Sequence, residues 1–167
     1  MQLGGGLFVA CVGAALIAGA VLGERFLGYY LISGMLAGIA AILITRRSVA
    51  MRLGRPSGGQ IGIFLFAVVF ELAVFLLLGR AGYFLDRSLL SIWQTGLAIV
   101  ALHFLIMRWS HGPLMLLLAI AILIWIALCI TASVSLVPMI VGDGALKILF
   151  GLIMAIPLLK LPISFKP

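Results

Sequence analysis

The chain has 167 residues, of which 65% are hydrophobic and only 9% charged, and its mean hydropathy is +1.39. Soluble domains carry about 25% charged residues, so this sequence lacks the polar surface to face water on all sides, and its apolar runs leave no stretch for a soluble head. Eleven bases against four acids give a net charge of +7, but the bases stand between or at the ends of apolar runs, a pattern of loop topology and lipid contact that argues against nucleic acid as a partner.

Leu3 to Leu22 predicts a first membrane span, read as a retained helix because it lacks the basic n-region of a secretory leader. Ala10, Ala14 and Ala18 form one ridge of small residues, with Ala15, Gly19 and Gly23 beside it, a spacing that lets another helix approach closely. Gly23-Glu24-Arg25 breaks an apolar stretch twice as long as one span, which places a tight hairpin there. Phe26 to Thr45 is then the second helix, with Gly34 and Gly38 as a GxxxG pair.

Residues Arg46 to Gln60 hold four arginines, one proline and no acid, and read as the clearest loop in the chain. Arg46, Arg47, Arg52 and Arg55 fit a cytoplasmic basic loop, with a docking site for lipid headgroups or a partner protein as the alternative. Ile61 to Gly79 is the third span, Leu89 to Met107 the fourth, Leu114 to Pro138 the fifth and Ala145 to Phe165 the sixth. Pro113 suits the first turn of the fifth helix, and the turn before the sixth is expected around Gly142-Asp143-Gly144. With the Arg46 to Gln60 segment inside, both termini are inside, and seven bases face the cytoplasm against four outside. The expected fold is therefore all-α, a single six-helix membrane bundle with N-in/C-in topology, and it fits an integral protein of a bacterial cytoplasmic membrane.

Glu71 lies in the middle of the third span, where an ionised carboxylate costs at least about 2.5–3.5 kcal/mol. Two readings follow: a protonatable or cation-binding group facing a cavity, or an acid paired to tie helices together. Counting helical rise from the outer face puts Gln94, Thr95 and Thr131 near the same depth, so these three with Glu71 form the expected binding site for a solute or ion. His103, placed close to the cytoplasmic end of the fourth helix, is either a packing hydrogen bond or a proton relay, and His111 reads as a turn residue. Lys160 either reaches toward Glu71 or snorkels to the interface. Cys11 and Cys129 are isolated thiols inside apolar runs. No spacing calls for a metal or another cofactor, and no Ser-His-acid or paired-carboxylate arrangement supports an enzyme.

In size, helix count and the alanine ridges of its first helix, the chain resembles the substrate-binding subunits of energy-coupling-factor vitamin transporters. That resemblance is architectural and carries over no binding residues. The functional expectation is a small-solute or ion transporter or channel built around Glu71. The alternative is a non-catalytic subunit that packs on a partner membrane protein, or on a second copy of itself, through the small-residue faces of Ala14, Ala18, Gly19, Gly34 and Gly38.

Overall fold

A computed structural model describes residues 2–53 and 56–159, with side chains for 4–45 and 56–156. Among the described residues the protein is all-helical, with six helices each long and apolar enough to cross a membrane. They are α1 (Gln2–Leu22), α2 (Leu27–Leu53), α3 (Gly58–Arg80), α4 (Leu89–His111), α5 (Pro113–Thr131) and α6 (Leu136–Leu159), with a single 3-10 turn at Glu24–Phe26 between the first two. Helices α1, α4, α5 and α6 form the centre; α2 packs mainly on α1 and α3 mainly on α4. Leu65, Phe66, Val69, Leu72, Leu76 and Leu77 of α3 point outward, as expected of a helix bathed in lipid, where apolar surface needs no cover.

Boundaries of α2, α4, α5 and α6 differ from the sequence expectation. Helix α2 does not end at Thr45 but continues to Leu53, so Arg46, Arg47 and Arg52 ride on its last turns, while Arg55 lies outside the described residues. Residues 46–53 contain no glycine or proline, and their Arg, Ala, Met and Leu favour helix. The next helix starts on a capping box in which Ser57 and Gln60 satisfy each other's backbone N–H groups.

The largest difference concerns the fifth and sixth helices. Helix α5 stops at Thr131, and α6 begins at Leu136, so Gly142-Asp143-Gly144 is not a turn between helices but lies well inside α6. The chain reverses at Ala132–Ser135 through a Schellman motif, with Val134 N–H donating to Cys129 O at 2.8 Å and Ser133 N–H to Ile130 O at 3.2 Å. Ser133 takes the left-handed conformation this closure needs, at φ 52°. Glycine adopts that conformation without the Cβ penalty, so Ser133→Gly is expected to raise stability by up to about 1 kcal/mol in a detergent melt. Between α4 and α5 the turn is shorter than expected, since α4 runs on to His111; Gly112 at φ 90° ends it, and Pro113 opens the next helix as expected.

Small residues set the helix spacing in two seams. In the first, Gly34 and Gly38 of α2 lie against α1, where a methyl group on Gly34 would stand 2.5 Å from Ala15 Cβ and one on Gly38 2.6 Å from the Phe8 ring. Gly19 of α1 completes that seam against Tyr30, whereas Ala18 is half-buried and Ala14 exposed. The second seam is reciprocal. Gly6 and Gly13 of α1 meet Gly151 and Gly144 of antiparallel α6, each glycine abutting the partner's carbonyl oxygen.

Candidate functional site

Among the described residues, two pairs of ionisable side chains lie between or within the helices. The first joins α3 to α4: His103 Nδ1 lies 2.8 Å from Glu71 Oε2 and 3.1 Å from the carbonyl oxygen of Ala67. Ala67 is fully buried, and its small side chain lets α4 come close enough for the imidazole to reach the α3 backbone. A carbonyl oxygen only accepts, so the hydrogen sits on Nδ1, and the same N–H is shared between Ala67 and the Glu71 carboxylate. His103 is almost buried, while 27% of the Glu71 side chain remains accessible.

This pairing was hidden from depth counting for two reasons. Helix α4 runs to His111, not to Met107, so His103 is eight residues from its end, about 12 Å deep. Side chains also lean toward the start of their own helix. In antiparallel α3 and α4 those leans are opposite, so Glu71 and His103 tilt toward each other.

The other residues expected beside Glu71 lie elsewhere. Thr95 donates to Ser91 O at 3.0 Å and pairs with the Tyr83 hydroxyl at 3.1 Å. Thr131 is exposed and bonds the carbonyls of Ala127 and Leu128 on its own helix. Gln94 is half-buried, and among the described residues no hydrogen bond links it to Glu71. Lys160 lies outside the described residues. A shallow open depression near the end of α3 is lined by Ala73, Leu76, Leu77 and Arg80, and Glu71 is not among its walls.

The second pair lies within α6. Lys147 donates to both carboxylate oxygens of Asp143, one helical turn earlier, and both side chains are buried. The order acid then base at i,i+4 is the favourable one on a helix. The sequence expectation puts Asp143 in the turn before the sixth helix and counts Lys147 among the four outer bases. They instead sit about 10 and 16 Å into the helix counted from Leu136. Trp125 of α5 packs on α6 one residue before Asp143, its ring over Gly142 and its indole N–H donating to Met139 O at 2.9 Å.

His111 is not an exposed turn residue. It is buried at the end of α4, with Nδ1 2.7 Å from Ser110 Oγ, which itself donates to Met107 O at 3.1 Å. Its ring lies against Gly5 of α1, and Phe64 of α3 is 6.1 Å away between centroids, so it wedges three helices together. Chemically, the paired carboxylate and imidazole at Glu71–His103 are the described groups that combine partial access with groups able to exchange a proton.

No curated protein and no solved structure matches the chain. Residues 2–160 match the model of DUF6609, a family of unknown function, and the chain belongs to that family.

Proposed function

We propose that this membrane protein moves a small solute or an ion across the bilayer, with the Glu71–His103 pair as its ionisable centre. One observation carries the reading: a carboxylate and an imidazole in contact at 2.8 Å between two predominantly apolar helices, with the carboxylate side chain still partly accessible. Ionisable groups at such depth are costly, and they commonly mark ion or proton pathways. A tie serving packing alone gains nothing from leaving a carboxylate open. Helix α3 is held mainly by α4, so a change of charge at the pair acts on its principal contact. An N-in/C-in orientation accompanies this reading. With Lys147 counted in the bilayer, Arg25, Arg80 and Arg87 are the outer bases against seven on the inner side.

The alternative reading, a subunit that binds a partner through the small faces of its first two helices, keeps Ala14, which is exposed, and part of Ala18, but not the GxxxG pair. Gly34 and Gly38 are spent on α1 within the chain.

The test is flux through liposomes reconstituted with the purified protein, under imposed H+, Na+ and K+ gradients and read with entrapped ion-sensitive dyes. Wild-type protein is expected to dissipate at least one gradient, and Glu71→Gln and His103→Gln to slow it at least about tenfold, a rise of roughly 1.4 kcal/mol or more in the transport barrier. Wild-type liposomes that match empty ones under every gradient would sink the reading.

A further inference from the structure

We infer that the ion handled at the Glu71–His103 pair is a proton and not a metal cation. The inference rests on the pair being the ionisable centre of the preceding proposal, and it names what that centre binds.

The donor set decides it. Sodium and calcium sites are built from several oxygen ligands, six to eight for calcium at about 2.3–2.6 Å. Near Glu71 two oxygens face the same spot, Glu71 Oε2 and Ala67 O, and the His103 N–H already occupies it. The rest of the Glu71 face of α3 is Phe64, Val68, Val74, Phe75 and Leu78, none of which offers an oxygen from its side chain. The hydroxyls that depth counting puts at this level are committed elsewhere: Thr95 to Tyr83 and Ser91, Thr131 to its own helix. Transition metals need three or more His, Cys, Asp or Glu ligands, and the described residues contain no such group.

A proton needs only what is present. With Nδ1 carrying its hydrogen, imidazole Nε2 and the free carboxylate oxygen are the two places where one more proton can bind. One proton from water adds to the pair of neutral imidazole and carboxylate and makes the pair electrically neutral. Arrival at Nε2 also allows the Nδ1–H bond to break as an O–H bond forms on Glu71, leaving a neutral imidazole with hydrogen on Nε2 and a carboxylic acid. Every proton gained is returned to water on unloading, and no other reactant is required. The remaining titratable neighbours do not compete: His111 is two turns along α4 and bonded to Ser110, and Asp143 and Lys147 on α6, which touches α4, close on each other.

Infrared difference spectroscopy on the reconstituted full chain tests this. The expected result is a protonated-carboxyl C=O band that changes with pH, is removed by E71Q, and does not respond when sodium, potassium or calcium chloride replaces choline chloride at fixed pH. A band that responds to a metal cation at constant pH overturns the inference, and so does a Glu71 carboxyl silent to pH. The transport proposal fails separately. A pH-responsive band with no flux would leave the proton assignment standing without transport, while sodium-driven flux through Glu71 would retain transport and remove the proton assignment.

Discussion

Replacing Lys147 with methionine is expected to destabilise the protein by about 3–5 kcal/mol, because it leaves the Asp143 carboxylate buried with no counter-charge. Asp143→Asn should cost a similar amount from the other side. The double variant Asp143→Asn/Lys147→Met should be markedly more stable than the sum of the two single losses predicts, since it removes both charges together. The reason lies in where the pair sits. Asp143 is fully buried and Lys147 nearly so, at a depth in α6 where each unpaired charge costs about 2.5–3.5 kcal/mol on insertion scales. Within one helix the two neutralise each other before any tertiary contact forms, so α6 can enter the bilayer as a paired unit. Unfolding of the four proteins in one detergent, followed by far-ultraviolet circular dichroism, gives the cycle. Single variants within about 0.5 kcal/mol of wild type would show that the pair does not hold the fold.

The same pair marks where the sequence was legible and where it was not. Six spans are visible as apolar runs of about twenty residues, and the Gly112-Pro113 reversal is written in residues that cannot do otherwise. Gly142-Asp143-Gly144 carries equally strong turn chemistry, yet it is helical. Two signals outweigh it: Lys147 four residues after Asp143, and a stretch from Leu114 to Pro138 that is longer than one span needs. Pro138, read as the end of the fifth helix, stands in the first turn of the sixth, where a missing N–H costs nothing.

The glycines of α6 look like turn residues in one dimension because their use is tertiary. Gly144 and Gly151 are there for the backbone of α1, and no local pattern names a partner more than a hundred residues away. Glu71 was found from its depth alone, but its partner was not. Depth counts Cα positions, whereas the contact is made by side chains leaning in opposite directions from antiparallel helices. Gln94, Thr95 and Thr131 satisfied the count and still do not gather, since hydroxyls on membrane helices readily bond their own backbone one turn back.

Gly13→Ala is expected to destabilise by about 1–3 kcal/mol, although alanine is the better helix former. A Cβ on Gly13 would stand 2.5 Å from the Gly144 carbonyl oxygen and 2.9 Å from Lys147 Cβ. The first of these is backbone and cannot rotate away, so α1 and α6 must separate along the seam. Gly144→Ala meets the reciprocal obstacle, the Gly13 carbonyl at 2.7 Å. Gly62→Ala in α3 supplies the control: nothing lies within 4 Å of its added methyl, and the change should be neutral or stabilising by up to about 1 kcal/mol. Thermal melts of the three variants in the same detergent should therefore differ in sign. A Gly13→Ala protein as stable as Gly62→Ala would mean that the seam has slack and that the close approach is not what holds α1 to α6. Because Gly13 also touches Lys147, the two perturbations share one interface. Gly13→Ala combined with Lys147→Met should depart from additivity by more than about 0.5 kcal/mol, whereas Gly62→Ala combined with Lys147→Met should not. Such coupling would tie the buried ion pair to the glycine seam as one unit: close backbone approach keeps lipid and water from Lys147, and the paired charges let α6 offer α1 a surface with no unmet polar group.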